Sequence, residues 1–243
     1  MIRILSKILF VALLFAATSI QAQKFGFGCL GLSGFYVGMS EHHYKAPGIN
    51  DYVYKGLAGN LIASNEKINF NLGSGYRVGA NFFRAKWDNV FITAKGYYQF
   101  LKEEHTANSS SQVQQKFQLN MNHWGLGLDI GIPVTSFIDW KIVEGGVTFY
   151  NAELNEQYFS DNSLSSEAKF SQEKSKPSYF AGTGIIFHII PDYMSLEGTA
   201  TYYFLNINEL QRNITDVGVI KISNPISKAG WGGTLQLNIS FPF

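Results

Sequence analysis

Charged side chains that alternate with apolar ones are the first places to look for chemistry in this chain. Arg77, Lys95, Asp129, Glu144 and Glu197 each stand on the polar side of an alternating stretch, among small polar residues. If those stretches share one interior, acids and bases meet inside it. Buried charges must be paired or hydrogen-bonded to be tolerated, so the five read as an ionic network that plugs their common space. The rival reading is a gated ion path through the same network.

The other chemically capable residues form no constellation. His42 and His43 follow Glu41 on a polar stretch and could bind a metal weakly, but adjacent loop histidines are more simply solvated. His123 and His188 point inward on different strands, towards opposite ends. A Ser/His/acid hydrolase needs its groups at hydrogen-bond distance, and no spacing places a serine and an acid beside either one. Gly73-Ser74-Gly75 and Gly145-Gly146 lack the strand–loop–helix context and following lysine of a phosphate loop. Cys29 is the sole cysteine, which excludes an intrachain disulfide and a multi-cysteine metal site. It follows Gly26-Phe27-Gly28, not a lipobox, and reads as an apolar strand position. No catalytic, cofactor or metal residue is expected, and the chain is not expected to be an enzyme. A net charge of +1 gives no field for nucleic acid.

The elements that must position the charges have a period of two. Trp231, Leu235, Leu237, Ile239, Phe241 and Phe243 share one face of the last strand, opposite Gly232, Thr234, Gln236, Asn238 and Ser240. Strict alternation of this length is a β-strand with two unlike faces. The pattern recurs over 124–132 and 90–100, and less cleanly over 76–82, 143–149, 179–189 and 196–204. A glycine-rich first strand over about 25–39 makes eight, an even number. Short turns at 87–89, 133–138 and 191–193 alternate with long polar segments at 40–72, 102–116, 153–177 and 206–228. The chain begins with Arg3 and Lys7, an apolar run from Ile8 to Ala17, and Ala22. This is a secretory signal peptide, which leaves 1–22 for export and 23–243 for one barrel domain.

Alternation does not say which face meets water. Three features favour lipid outside. The polar face is mostly Gly, Ser, Thr, Asn and Gln, where a water-facing surface would carry more Lys and Glu. The strands reach the ~10 residues that a tilted membrane-spanning strand needs. Trp87, Trp140, Tyr202 and Trp231 stand near strand ends, where interfacial aromatic girdles sit. Charged residues are only 15% of the chain, against about 25% in soluble domains. In hydrocarbon an open sheet edge would leave backbone groups unpaired, so the sheet must close. The expected fold is all-β: an eight-stranded antiparallel up-and-down transmembrane β-barrel.

The ending Leu235-Gln236-Leu237-Asn238-Ile239-Ser240-Phe241-Pro242-Phe243 resembles the C-terminal β-signal of outer-membrane proteins. It departs from that signal in Asn238, where glycine is usual, and in Pro242. The resemblance implies the barrel-assembly machinery as a transient partner, with Phe241 and Phe243 as the assembly signal. The whole layout resembles the small OmpA/OmpX-like (porin-like) outer membrane protein beta-barrel family. That likeness implies a bacterial outer-membrane location, with membrane lipids and lipopolysaccharide as surroundings and an extracellular protein or surface as partner. The expected role is non-enzymatic: long external loops for adhesion or binding, or support of the envelope. The alternatives are a narrow channel or PorT-like accessory barrel of a secretion apparatus, and a lipid-modifying hydrolase.

Overall fold

The computed structural model describes residues 24–26, 33–59, 68–87, 89–108, 113–161, 163–214 and 218–241. The expected signal peptide, Cys29 and Phe243 lie outside them. The elements in chain order are β1 (Lys24–Gly26), β2 (Gly34–Lys45), α1 (Pro47–Gly59), β3 (Leu72–Trp87), β4 (Val90–Asn108), β5 (Val113–Pro133), β6 (Ile138–Ser160), β7 (Ser163–Ser171), β8 (Pro177–Ile190), β9 (Met194–Phe204), β10 (Ile207–Ile214), β11 (Gly218–Ile226) and β12 (Lys228–Ser240).

Eight of these strands close on themselves. The ring runs β2-β3-β4-β5-β6-β8-β9-β12, and β12 pairs back onto β2 over Lys228–Ser240. Every neighbour is antiparallel. The first barrel strand is displaced from the expected 25–39: β2 starts at Gly34, while the short β1 pairs separately with β3.

The long segments expected to be polar loops are largely ordered, which corrects the sequence reading. β4, β5 and β6 run to 19, 21 and 23 residues, about twice what a bilayer requires. Beyond the membrane β6 pairs with β7, β7 touches β10 and β10 pairs with β11, making a sheet that rises from one side of the barrel. Helix α1 packs against β11. Together these form a headpiece at the end opposite the short turns, the external end in barrels of this kind.

The two parts have opposite polarity. Around the barrel, large apolar side chains face outward, among them Val37, Val78, Leu126, Leu128, Ile185 and Leu235. Outward aromatics band one edge, where Trp124 stacks on Phe149 at 4.1 Å and Tyr202 meets Trp231 edge-on at 5.4 Å. Phe35 with Phe241 and Phe137 with Phe187 lie at the other. Above the first band the apolar residues turn inward. On β5, Trp124, Leu126, Leu128 and Ile130 are exposed while Phe117, Leu119 and Met121 are buried. The apolar positions change parity on one unbroken strand.

Candidate functional site

The interior of the lower barrel is where the expected charges go. β4 carries Lys95, β5 Asp129, β6 Glu144 and β9 Glu197, all buried. Lys95 Nζ lies 3.0 Å from Asp129 Oδ1 and 2.8 Å from Glu144 Oε2. Arg77, on β3, is buried beside this cluster and not in it. Its Nε donates to Gln99 Oε1 at 2.8 Å, another guanidinium nitrogen donates to Tyr203 Oη at 2.7 Å, and the group lies 4.3 Å over the Tyr97 ring.

Sequence reasoning missed the group at the centre. Lys141 Nζ is 3.0 Å from Asp129 Oδ2 and 3.1 Å from Glu144 Oε2, and it pairs with Glu197. A β-bulge in β6 hides it, because the register with β8 slips between Lys141 and Glu144. Ile142 and Val143 both face outward, at 43% and 44% exposure, so Lys141 and Glu144 both face in. Two adjacent apolar residues between charges three apart were the available signal.

Neutral groups complete the network. Thr201 Oγ1 donates to Glu144 Oε1 at 2.6 Å, and Asn238 Nδ2 donates to Glu197 Oε2 at 3.1 Å. The oxygens of Asp129, Glu144 and Glu197 lie within 4.8 Å of one another, a spacing that would suit a cation. Lys95 and Lys141 already occupy that position, so a metal would have to displace an ammonium group. The arrangement is an ion-paired plug.

Near the short-turn end, His188 Nε2 lies 2.9 Å from Asp139 Oδ2, with an Arg84 guanidinium nitrogen at 3.7 Å. The sequence had placed no acid beside this histidine. Ser195 faces it in register on β9. Its hydroxyl accepts from Asn238 Nδ2 at 3.3 Å, and among the described residues no hydrogen bond joins Ser195 to His188. A nucleophile–base pair is therefore not formed.

Above the plug the bore is filled in two further layers. Tyr36, Tyr97, Phe180 and Tyr203 pack across it beside His42 and His123. Gly79 and Gly125 make this possible, since a Cβ there would come within 2.3 Å of the Tyr36 ring and 2.5 Å of the Tyr97 ring. His42, expected on a solvated loop, is a buried β2 residue whose ring lies 4.2 Å from that of Tyr203. Next come Leu101, Leu119, Met121 and Leu154, all buried.

α1 caps this column. Ile49, Val53 and Leu57 recur every four residues along its buried face. Tyr52 Oη donates to Glu156 Oε2 at 2.6 Å while its ring meets Phe170 at 5.0 Å. Burial and the Glu156 carboxylate hold the Tyr52 phenol well above its usual pKa. Burial and Glu103 do the same for Tyr44. The Asn50 side chain fixes the chain after α1, with Phe70 N donating to Asn50 Oδ1 at 2.7 Å. Outside, ion pairs line the headpiece: Lys116 to Glu104 at 2.7 Å and Lys169 to Glu153 at 2.6 Å. Hydrogen bonds from Lys102 and Lys116 hold the Glu104 carboxyl below its usual range.

A closed antiparallel ring, an apolar outer belt between aromatic bands and a polar interior settle the class. The chain is a small transmembrane β-barrel. Solved structures similar to it include Ail, the attachment invasion locus protein of Yersinia pestis, at 10% identity, covering 87% of this chain and 99% of that one with a TM-score of 0.42. Neisserial surface protein A (NspA) is similar at 14% identity, over 87% of this chain and 99% of that one, with a TM-score of 0.36. The outer membrane protease OmpT of Escherichia coli is similar at 10% identity, over 92% and 100%, with a TM-score of 0.43. No family model and no curated protein matches the chain.

Proposed function

We propose that this barrel is a sealed, non-enzymatic membrane anchor that holds a rigid headpiece outside the cell for contact with an external partner. The observation that carries the reading is the ordered headpiece itself. It has its own apolar core, continuous with the barrel, yet leaves Tyr54, Leu164, Val219 and Ile220 exposed at 71%, 52%, 50% and 41%, away from the lipid belt. Apolar side chains held outward on a rigid scaffold are suited to recognition. The filled bore supports an anchor over the narrow-channel alternative. Phe241, packed edge-on against Phe35 at 5.7 Å, supports a role for the chain end in assembly.

The test uses cells that display the chain. Wild type is compared with a variant in which residues 207–226 are replaced by a short Gly-Ser turn, and adherence to cultured epithelial cells and matrix-coated surfaces is measured. Adherence should fall to background in the variant while the barrel keeps its gel shift on boiling. Equal adherence with an intact barrel would overturn the reading.

A further inference from the structure

The short-turn end of the bore carries a second charged cluster that takes no part in the plug. A cavity of about 90 Å³ lies there, lined by Arg84, Lys86, His188 and Ser240, with Asp192 exposed on the last short turn. A slip in register puts the two cations there. β3 carries an extra residue at Phe82 against β4, so Arg84 and Lys86 stand opposite Thr93 and Phe91, which are buried in the bore. Directly opposite residues share a face of the sheet. Without the bulge both cations would take the parity of Tyr76 and Val78, which face outward.

The charges around this cavity are not matched. Among the described residues the one carboxylate paired with them is Asp139, and it is shared. His188 Nε2 lies 2.9 Å from its Oδ2, and an Arg84 guanidinium nitrogen lies 3.7 Å from the same oxygen. The second contact is longer than a hydrogen bond, so the fork of Arg84 donors keeps capacity for another acceptor. Lys86 is exposed and makes no ion pair among the described residues. The contact with Asp139 engages Nε2 of His188 and leaves Nδ1 for another partner. Ser240 adds a hydroxyl to the same lining.

Cationic donors gathered with too few acceptors complement an anion. Asp192 narrows its charge. An acid in the lining repels a dianion more than a monoanion, which favours a carboxylate over a phosphate. Tyr193, Met194 and Phe241 complete the lining and give apolar cover to the carbon that bears the carboxylate. The volume admits one small group and not a whole drug-sized ligand. We propose that this cavity binds the terminal carboxylate of a peptide presented from the short-turn side. Arg84 and Lys86 are its cations, and a small last side chain lies against Phe241. The site is at the opposite end from the headpiece, so it stands or falls separately from the adhesive reading.

The test is a nuclear magnetic resonance titration of the folded full chain in detergent micelles, following the ring signals of His188. The probes are N-acetyl-alanyl-alanine, the same dipeptide amidated at its C-terminus, and inorganic phosphate. The free acid should shift the His188 signals saturably and bind about tenfold more tightly than the amide. Arg84→Gln/Lys86→Gln should lose that preference. Lys174→Gln/Lys176→Gln, exposed between β7 and β8, should keep it. Lys86→Gln alone gives the same readout, with a smaller loss, if removing Arg84 from beside Asp139 impairs folding. Equal binding of acid and amide would overturn the proposal. So would the absence of a saturable shift in wild type, or an unchanged preference in the Arg84 and Lys86 variants. Tighter binding of phosphate than of the dipeptide acid would also overturn it and mark a general anion site.

Discussion

The membrane-spanning barrel and the headpiece are built from the same strands with opposite rules. In the barrel the outside is apolar and the inside is held by Lys95, Lys141, Asp129, Glu144 and Glu197. In the headpiece the outside carries ion pairs, and the inside holds Phe117, Leu119, Leu154 and the buried face of α1. Lipid is as apolar as leucine, so burying apolar groups inside the lower barrel would gain little. Ion pairs and hydrogen bonds specify that interior instead. Above the aromatic band water returns, and apolar burial again contributes about 25 cal/mol per Å². The level at which β5 changes parity, between Met121 and Trp124, marks the change of solvent.

That contrast can be broken from either side. The largest effect is expected from Lys141→Met, which leaves Asp129 and Glu197 short of a partner. Removing one member of a buried ion pair costs about 3–5 kcal/mol, and the loss should show in urea unfolding of the lipid-embedded barrel followed by gel mobility. Leu119→Ala opens a cavity in the headpiece column and should cost about 2–5 kcal/mol. It should act locally, speeding hydrogen exchange in α1 and β10 while the barrel resists urea as before. If Leu119→Ala weakened the whole barrel as much as Lys141→Met, the two-region picture would fail.

How much of this could be read from the chain depends on whether the alternation kept its phase. Over 124–132 and 231–239 it does, and the barrel strands with Lys95, Asp129, Glu144 and Glu197 on the inner face follow directly. Lys141 was out of reach because a bulge shifts the phase by one residue at Ile142-Val143. The headpiece was misread for a related reason. In 113–121 the apolar residues occupy the other parity from 124–132 and are outnumbered by Gln, Lys and Asn, so a single pattern could not cover both stretches. Arg77 was placed on the correct face, but only the three-dimensional register sends it to Gln99 and Tyr203 and not to the acids.

Two smaller effects sharpen the comparison on the headpiece side. Tyr52→Phe removes the hydrogen bond to Glu156, at about 1–2 kcal/mol. The folded-state pKa values of Tyr52 and Tyr44 are raised. Their contribution is therefore complete below the unfolded tyrosine value near 10 and is lost as pH climbs through the raised values. Wild-type headpiece should loosen only above about pH 10, and Tyr52→Phe should weaken that alkaline transition, as read by near-ultraviolet circular dichroism. Glu104→Gln should be smallest, below about 1 kcal/mol and reduced by salt, because its lysine partners are half in water. The Glu104 carboxyl is depressed, so its contribution is present above the unfolded value near 4.3 and disappears as pH falls through the lower folded one.

The inversion of polarity along β5 is tested most directly by spin labels on single cysteines introduced at Leu128, Gln118 and Leu119, with Cys29 replaced, in the barrel reconstituted in lipid. Leu128 and Gln118 share the outward parity and Leu119 faces in. The expected result is that the label at 128 collides with dissolved oxygen and is shielded from a water-soluble nickel relaxant. At 118 the preference reverses, and at 119 both collision rates are low. A label at 128 that the nickel reagent reaches as readily as the one at 118 would contradict the change of solvent along β5.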